Sequence, residues 1–302
     1  MKFIHKFFDY GRMIKFSHSL FALPFAGIAV ILAFLESDFM IVDMARLSGL
    51  IIVCLVSARS AAMGFNRYID AEIDKKNPRT SKREIPAGVL SPISVLVFIG
   101  VSCFVFLFAS YLINFLCFIL AFPALAILFL YSLAKRFTLL CHFILGFSLS
   151  MAPLGAWIAI AEDISLVPIL FSIGLLFHIT GFDILYAIQD ADFDSKEALH
   201  SIPAKLGLQN SFHLARILHI LSVFSFIIAG RVADLGFIYY VSIIIIAILL
   251  IWEHKIANDQ ATEILPPAFY NINSLISVVI FFGILFDRWG EFLGKLQILV
   301  KI

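Results

Sequence analysis

The chain has 302 residues, 62% of them hydrophobic and 14% charged, with a formal net charge of +1. Soluble domains are nearer half apolar, so a mean hydropathy of +1.01 excludes an ordinary soluble domain and implies a polytopic membrane protein with the lipid bilayer as its surroundings. The near-neutral charge leaves no global electrostatic case for nucleic acid as a partner.

The N-terminal stretch, with Lys2, Lys6, Arg12 and Lys15, reads as a charged amphipathic lead-in that stays attached. Apolar runs that reach the roughly 20 residues needed to cross the hydrocarbon then recur about nine times, at 17–35, 47–65, 92–111, 115–133, 139–161, 166–188, 212–230, 237–253 and 272–286. Ile113-Asn114 marks the turn between the third and fourth. Residues 1–302 therefore read as a single all-α membrane domain, a bundle of about nine transmembrane helices. Cys54, Cys103, Cys117 and Cys141 all fall in apolar stretches without ligand spacing and read as small buried hydrophobes.

Lys and Arg fill the N-terminus, the 67–85 loop, the Lys135-Arg136 turn and the 195–216 connection. The alternate loops, at Glu36-Ser37-Asp38, Glu162-Asp163 and Arg231-Val232-Ala233-Asp234, are poor in them. The positive-inside rule places the N-terminus and the basic loops in the cytoplasm. An odd number of spans puts the C-terminus outside, where 288–302 can lie amphipathically on the surface.

Two acidic clusters close the second and sixth spans on the cytoplasmic side. In Asn66-Arg67-Tyr68-Ile69-Asp70-Ala71-Glu72-Ile73-Asp74, helical spacing puts Asn66, Asp70 and Asp74 on one slowly drifting face. Two carboxylates and a carboxamide there suit a hard cation such as Mg²⁺. Arg79, Lys82 and Arg83 follow, with charge suited to a phosphate. In the second cluster Asp183, Tyr186, Asp190 and Asp194 again share roughly one face, while Asp192 points away and reads as solvated. Either cluster alone is ordinarily a solvated helix end; it is the pair that carries weight. Each is followed by a short echo, Ile85-Pro86-Ala87 and Ile202-Pro203-Ala204, the trace expected of an internal duplication.

Two acidic faces over one cavity repel unless cations sit between them, which predicts bound divalent metal. Mg²⁺ is usually held by one or two carboxylates completed by substrate phosphates. Paired carboxylate sets with bases nearby suit a diphosphate, and the apolar bundle suits a long lipid tail; together they imply a prenyl diphosphate. Metal and bases would stabilise the departing diphosphate, and aromatic faces would favour the allylic cation. Of 33 Phe and 8 Tyr, Tyr186 and Tyr68 lie where that role is possible.

Read in order, these residues resemble the UbiA superfamily of intramembrane prenyltransferases, in particular the branch that attaches a polyprenyl chain to a hydroxylated aromatic acid. The matching residues are Arg59, Asn66-x3-Asp70-x3-Asp74, Pro78-Arg79-Thr80, Arg83-x2-Pro86-x-Gly88, Tyr131-x3-Lys135-Arg136-x-Thr138, Asp183-x2-Tyr186-Ala187-x2-Asp190-x3-Asp194 and Ser201-Ile202-Pro203. The resemblance implies nine helices around a central cavity in a bacterial cytoplasmic membrane. It also implies Mg²⁺-dependent prenyl transfer to an aromatic acid acceptor, 4-hydroxybenzoate or dihydroxynaphthoate, in quinone biosynthesis. The metal candidates are then Asn66, Asp70, Asp74, Asp190 and Asp194. The diphosphate candidates are Arg79, Arg83, Lys135 and Arg136, and the catalytic candidates Asp183, Tyr186 and Arg59. The chain departs from the pattern in two places. Arg67 stands where many members have Asp, and either contacts diphosphate or faces lipid headgroups. His200 stands where some ubiquinone-type enzymes have Lys. Both departures point toward the branch of menaquinone synthesis by the futalosine route.

Arg59, within a span, is expected to face the cavity and hold an anion. Asp183 lies about two turns inward from Asp190, placed either to accept a hydrogen bond from the acceptor's phenol or to pair with Arg59. His18 reads as a headgroup-facing cap or an acceptor contact. His142 and His178 read as interhelical hydrogen-bonding groups, Asn271 and Asn273 as helix caps, and His254 and Lys255 as surface residues. A cation-coupled transporter is the rival class, disfavoured because transporter sites lie near the midplane, whereas these acids cluster at one mouth. A structural scaffold needs no paired acidic faces. Other acceptors within the family, such as haem or homogentisate, remain open.

Overall fold

The computed structural model describes residues 2–14, 22–37, 41–259 and 265–300. Its secondary structure is helical, with no strand among the described residues. The order is α1 (Lys2–Met13), α2 (Ala22–Glu36), α3 (Ile41–Ile69), α4 (Ala71–Lys76), α5 (Pro92–Ile113), α6 (Phe115–Ala134), α7 (Cys141–Ala161) and α8 (Leu166–Ala187). A 3₁₀ turn, Ile188–Asp190, leads into α9 (Ala191–Lys196), followed by α10 (Ile202–Val232), α11 (Phe237–Asp259), α12 (Pro267–Asp287) and α13 (Trp289–Val300).

Eight of these helices are long and apolar enough to cross a membrane, so the protein is an integral membrane bundle. The first expected span corresponds to α2, which is apolar but only 15 residues long. The start of that span, with His18, lies outside the described residues. The third-to-fourth turn falls where expected: Asn114 caps α6 by accepting from the Cys117 amide at 2.7 Å. Two starts differ from the sequence reading. Helix α10 begins at Ile202 instead of 212, capped by Ser201 and opened by Pro203. The chain there is broken at Gly207, whose φ of 79° suits glycine alone, so the apolar periodicity becomes readable only beyond it. Helix α12 begins at Pro267, which puts Asn271 and Asn273 inside the helix; neither caps it. The proposed duplication echo is not echoed in conformation, since 85–87 lie in a turn and 202–204 open a helix.

The dominant packing runs α10 on α8, α3 on α5, α7 on α8, α11 on α12 and α2 on α7. Among lipid tails there is no hydrophobic drive between helices, so close fit between small residues and their neighbours decides which pairs form. At Gly146, on α7, an added Cβ would stand 2.2 Å from the Thr180 hydroxyl oxygen and 2.6 Å from the Leu176 carbonyl oxygen of α8. Only glycine permits that approach. The main core gathers Phe25, Trp157, Phe171, Phe226 and Tyr239, with the isoleucines of α12. Large apolar side chains such as Ile93, Phe115 and Phe237 point outward, as a surface solvated by acyl chains requires. Helix α13 folds back on α2: Lys295 Nζ donates to the carbonyl oxygens of Phe34 at 2.6 Å, Leu35 at 3.1 Å and Ser37. All four cysteines are free.

Candidate active site

The C-terminal ends of α3, α6 and α8 and the N-terminal ends of α7 and α10 come together at one end of the bundle, with α4 and α9 as short extensions. Both acidic clusters end up there. Helix α3 stops at Ile69, but Asp70 keeps the helical course, its amide donating to the Asn66 carbonyl at 3.0 Å and its carbonyl accepting from the Asp74 amide at 2.7 Å. Asn66, Asp70 and Asp74 thus stay on one side. On the other element, the 3₁₀ turn and α9 carry Asp190 and Asp194 inward, where both are buried, while Asp192 is exposed as expected.

Each of the four expected metal carboxylates meets one of the four expected diphosphate bases. Arg83 Nη1 donates to both oxygens of Asp74, at 2.6 and 2.7 Å. Arg136 Nη2 donates to Asp70 Oδ1 at 3.2 Å and to the Ile69 carbonyl at 2.6 Å. Lys135 Nζ lies 2.7 Å from Asp194 Oδ1, an ion pair. Arg79 donates to Asp190 through Nε at 3.0 Å and Nη2 at 2.5 Å, and through Nη1 to the Tyr186 hydroxyl at 2.9 Å. The repulsion anticipated between the acidic faces is therefore met by the chain's own cations. Burial pushes the Asp70 carboxyl above its usual range, partly countered by Arg136. Burial works against the Lys135 ammonium, but Asp194 and Asp190 hold it above its ordinary value. Arg79 is raised in the same way, burial being outweighed by Asp190.

Tyr186 stacks on Phe182 and meets Tyr270 edge-on, with ring centroids 6.3 and 5.6 Å apart. Asn66 Nδ2 donates to Asp70 Oδ2 at 2.9 Å, and its carboxamide oxygen accepts from Arg67 Nη1 at 3.3 Å. Arg67 is buried and also donates to the Met13 carbonyl at 3.3 Å. Its burial speaks against a headgroup-facing side chain, and its bond to Asn66 ties it to the first cluster. Arg59 is placed deeper in α3, its buried Nε without a partner among the described residues. Asp183 does not pair with Arg59. Its Oδ2 lies 2.7 Å from His142 Nδ1.

His142 was expected only as an interhelical hydrogen-bonding group, and its link to Asp183 had no signal in the sequence beyond a lone histidine in an apolar run. Asn77, whose amide donates to Asp190 Oδ1 at 3.4 Å and whose oxygen caps the Arg79 amide at 2.9 Å, was missed altogether. His178 does make an interhelical bond, 2.7 Å to Asn273. His254 is not a surface residue: it is half-buried, 3.1 Å from His219 Nδ1, because α11 turns that face toward α10.

Among the described residues no three His, Cys, Asp or Glu side chains stand close enough to form a closed metal cage. Mg²⁺ does not require one, since it takes one or two carboxylates and is completed by substrate phosphates. Asp194 is buried, with Lys135 Nζ 2.7 Å from its Oδ1 and Ser201 beside it. With Asp190 four positions before it, the donor set fits a hard cation.

The profile of the UbiA prenyltransferase family matches residues 22–275. Over 231 residues the chain is 30% identical to a 4-hydroxybenzoate octaprenyltransferase of Marinobacter nauticus, covering 76% of this chain and 78% of that one. A Vibrio cholerae protein of the same name is 30% identical over 235 residues, 76% of this chain and 81% of its own length. The apo structure of a UbiA homolog from Aeropyrum pernix K1 superposes with a TM-score of 0.80 at 28% identity, over 90% of this chain and 98% of that one. A UbiA homolog from Archaeoglobus fulgidus bound to DMAPP and Mg²⁺ gives a TM-score of 0.70 at 20% identity, over 96% and 99%, a likeness of fold.

Proposed function

This chain belongs to the UbiA prenyltransferase family and is a prenyltransferase, and on that premise we propose that it joins a polyprenyl group from polyprenyl diphosphate to a ring carbon of a hydroxylated aromatic acid. The acceptor class is that of 4-hydroxybenzoate and dihydroxynaphthoate, and the product serves quinone biosynthesis. Residues 1–302 act as one domain in a bacterial cytoplasmic membrane, the N-terminus and the acidic end facing the cytoplasm, as the loop charges require. The observation that carries the reading is the docking of the segment that follows the first acidic cluster onto the second, where Arg79 bonds to both Asp190 and Tyr186.

In this reading Arg79, Arg83, Lys135 and Arg136 hold the diphosphate, their resting carboxylate pairs keeping them oriented. Asp70, Asp74, Asp190 and Asp194, with Asn66, would hold Mg²⁺ on exchanging their resting cations for it. The metal, when bound, neutralises charge on the departing diphosphate. The allylic C–O bond breaks, and its electron pair leaves with the diphosphate. Tyr186, fixed by Arg79 and Phe182, presents aromatic surface to the allylic cation. The ring attacks through its π electrons to form the new C–C bond, and the arenium ion then loses its proton. Asp183 accepts a hydrogen bond from the acceptor's hydroxyl, raises ring electron density and takes that proton. Arg59, with an unpaired donor, holds the acceptor's carboxylate.

The test is direct. Protein in detergent is given geranyl diphosphate, Mg²⁺ and either acid, with diphosphate release and prenylated product both measured. Metal-dependent formation of ring-prenylated acid is expected. Absence of product with both acids removes the acceptor assignment, and absence of diphosphate release removes the donor site.

A further inference from the structure

The hydrogen bonds around His142 assign its proton. Nε2 accepts from the backbone N–H of Ile202 at 3.2 Å, so the proton of the neutral ring sits on Nδ1, which then donates to Asp183 Oδ2 at 2.7 Å. The Ile202 amide is one of the first N–H groups of α10, which a helix cannot satisfy internally. The imidazole is therefore held at both nitrogens, by α8 on one side and by the start of α10 on the other. Its side chain is 3% exposed, whereas that of Asp183 is 21% exposed. Among the described residues Asp183 Oδ1 takes no hydrogen bond. One oxygen is clamped, and the other is left for a ligand.

We propose that His142 is a positioning residue that fixes the carboxylate of Asp183 so that Oδ1 is presented to the acceptor's ring hydroxyl. This rests on the reading of Asp183 given above. A carboxylate on a short side chain otherwise rotates, and an acceptor group must be held to within a fraction of an ångström to be useful in the transition state. A carboxylate–imidazole pair whose far nitrogen is tied to backbone supplies that restraint. Gly146, one turn along α7 from His142, permits the helix approach that brings the pair to hydrogen-bonding distance.

The experiment compares His142→Phe, His142→Asn and Asp183→Asn, singly and combined, using geranyl diphosphate, Mg²⁺ and the acid that the wild type prenylates. His142→Phe keeps the ring and removes both nitrogens. The expected result is at least a tenfold fall in kcat/KM for the acceptor, an unchanged KM for the donor, and no further loss when it is added to Asp183→Asn. His142→Asn, which keeps a donor near the Nδ1 position, should recover most of the transfer. Acceptor kinetics of His142→Phe within twofold of wild type overturn the proposal, as does a loss that multiplies with that of Asp183→Asn. If His142→Phe does not fold, a folded His142→Asn with the full Asp183→Asn defect overturns it instead. A wild type that prenylates neither acid refutes the acceptor reading itself, a result separate from any of these.

Discussion

Arg79 and Asp190 meet through two nitrogens, Nε at 3.0 Å and Nη2 at 2.5 Å, across 111 residues of sequence. A fork of this kind matches a carboxylate and matches a phosphate equally well. The same guanidinium also holds the Tyr186 hydroxyl, so one side chain ties Asp190 to the aromatic surface. Replacing Arg79 by Ala should lower kcat/KM by about 10²-fold, roughly the 2–3 kcal/mol of a charged hydrogen-bond set. Arg79→Lys should recover little of it, because Lys keeps the charge without the fork. Full recovery by Lys in steady-state assays would show that charge alone matters there.

Asp70→Ala, Asp74→Ala, Asp190→Ala and Asp194→Ala should each abolish most transfer while leaving a folded protein, because the bundle is held by helix packing. A chelator should abolish activity of the wild type, and added Mg²⁺ restore it. Near-wild-type turnover by two or more of these variants at saturating Mg²⁺ would remove the metal assignment.

Neutralising Lys135 or Arg136 should raise KM for the prenyl donor more than for the acceptor. Each is already oriented, Lys135 by Asp194 and Arg136 by Asp70 and the Ile69 carbonyl. Normal donor binding combined with mixed membrane orientation would instead assign these residues to topology.

Asp183→Asn should still release diphosphate slowly but transfer to the acceptor ~10²–10⁴-fold less well, the range typical of a lost general base. Adding Arg59→Leu should not restore any stability lost, since the partner of Asp183 is His142. Recovery of thermal stability in the double variant would contradict that pairing.

Gly146→Ala should destabilise the bundle by roughly 1–3 kcal/mol, the usual range for overpacking. The added methyl would meet a backbone carbonyl and a hydroxyl of α8, neither of which is the far end of a flexible side chain. A lowered Tm in detergent is the measurement, and an unchanged Tm would mean that α7 and α8 separate without penalty.

The acidic and basic positions were readable because helical spacing at the ends of apolar runs is a local property. Which base meets which acid was not: Lys135 and Asp194, or Arg79 and Asp190, are joined only when distant helix ends converge, and nothing in their spacing records it. Two acidic faces need cations between them, and here three arginines and Lys135 stand beside the carboxylates. Arg67 is buried and bonded to Met13, which speaks against the headgroup alternative, because α1 covers that side of α3. Asn273 and His254 were misread for a common reason. Hydropathy finds where a helix is apolar but not where it begins or which face it buries.

The contact between Lys295 and the end of α2 has a consequence for the order of assembly. The carbonyl of Phe34 is made 261 residues before the ammonium that satisfies it. At a synthesis rate of about 5–20 residues per second, the first apolar helix waits on the order of ten seconds to a minute for its cap, its last carbonyls met meanwhile by water. A ribosome stalled before Lys295 thus leaves a bundle whose acidic end is complete while the end of α2 still lacks that cap.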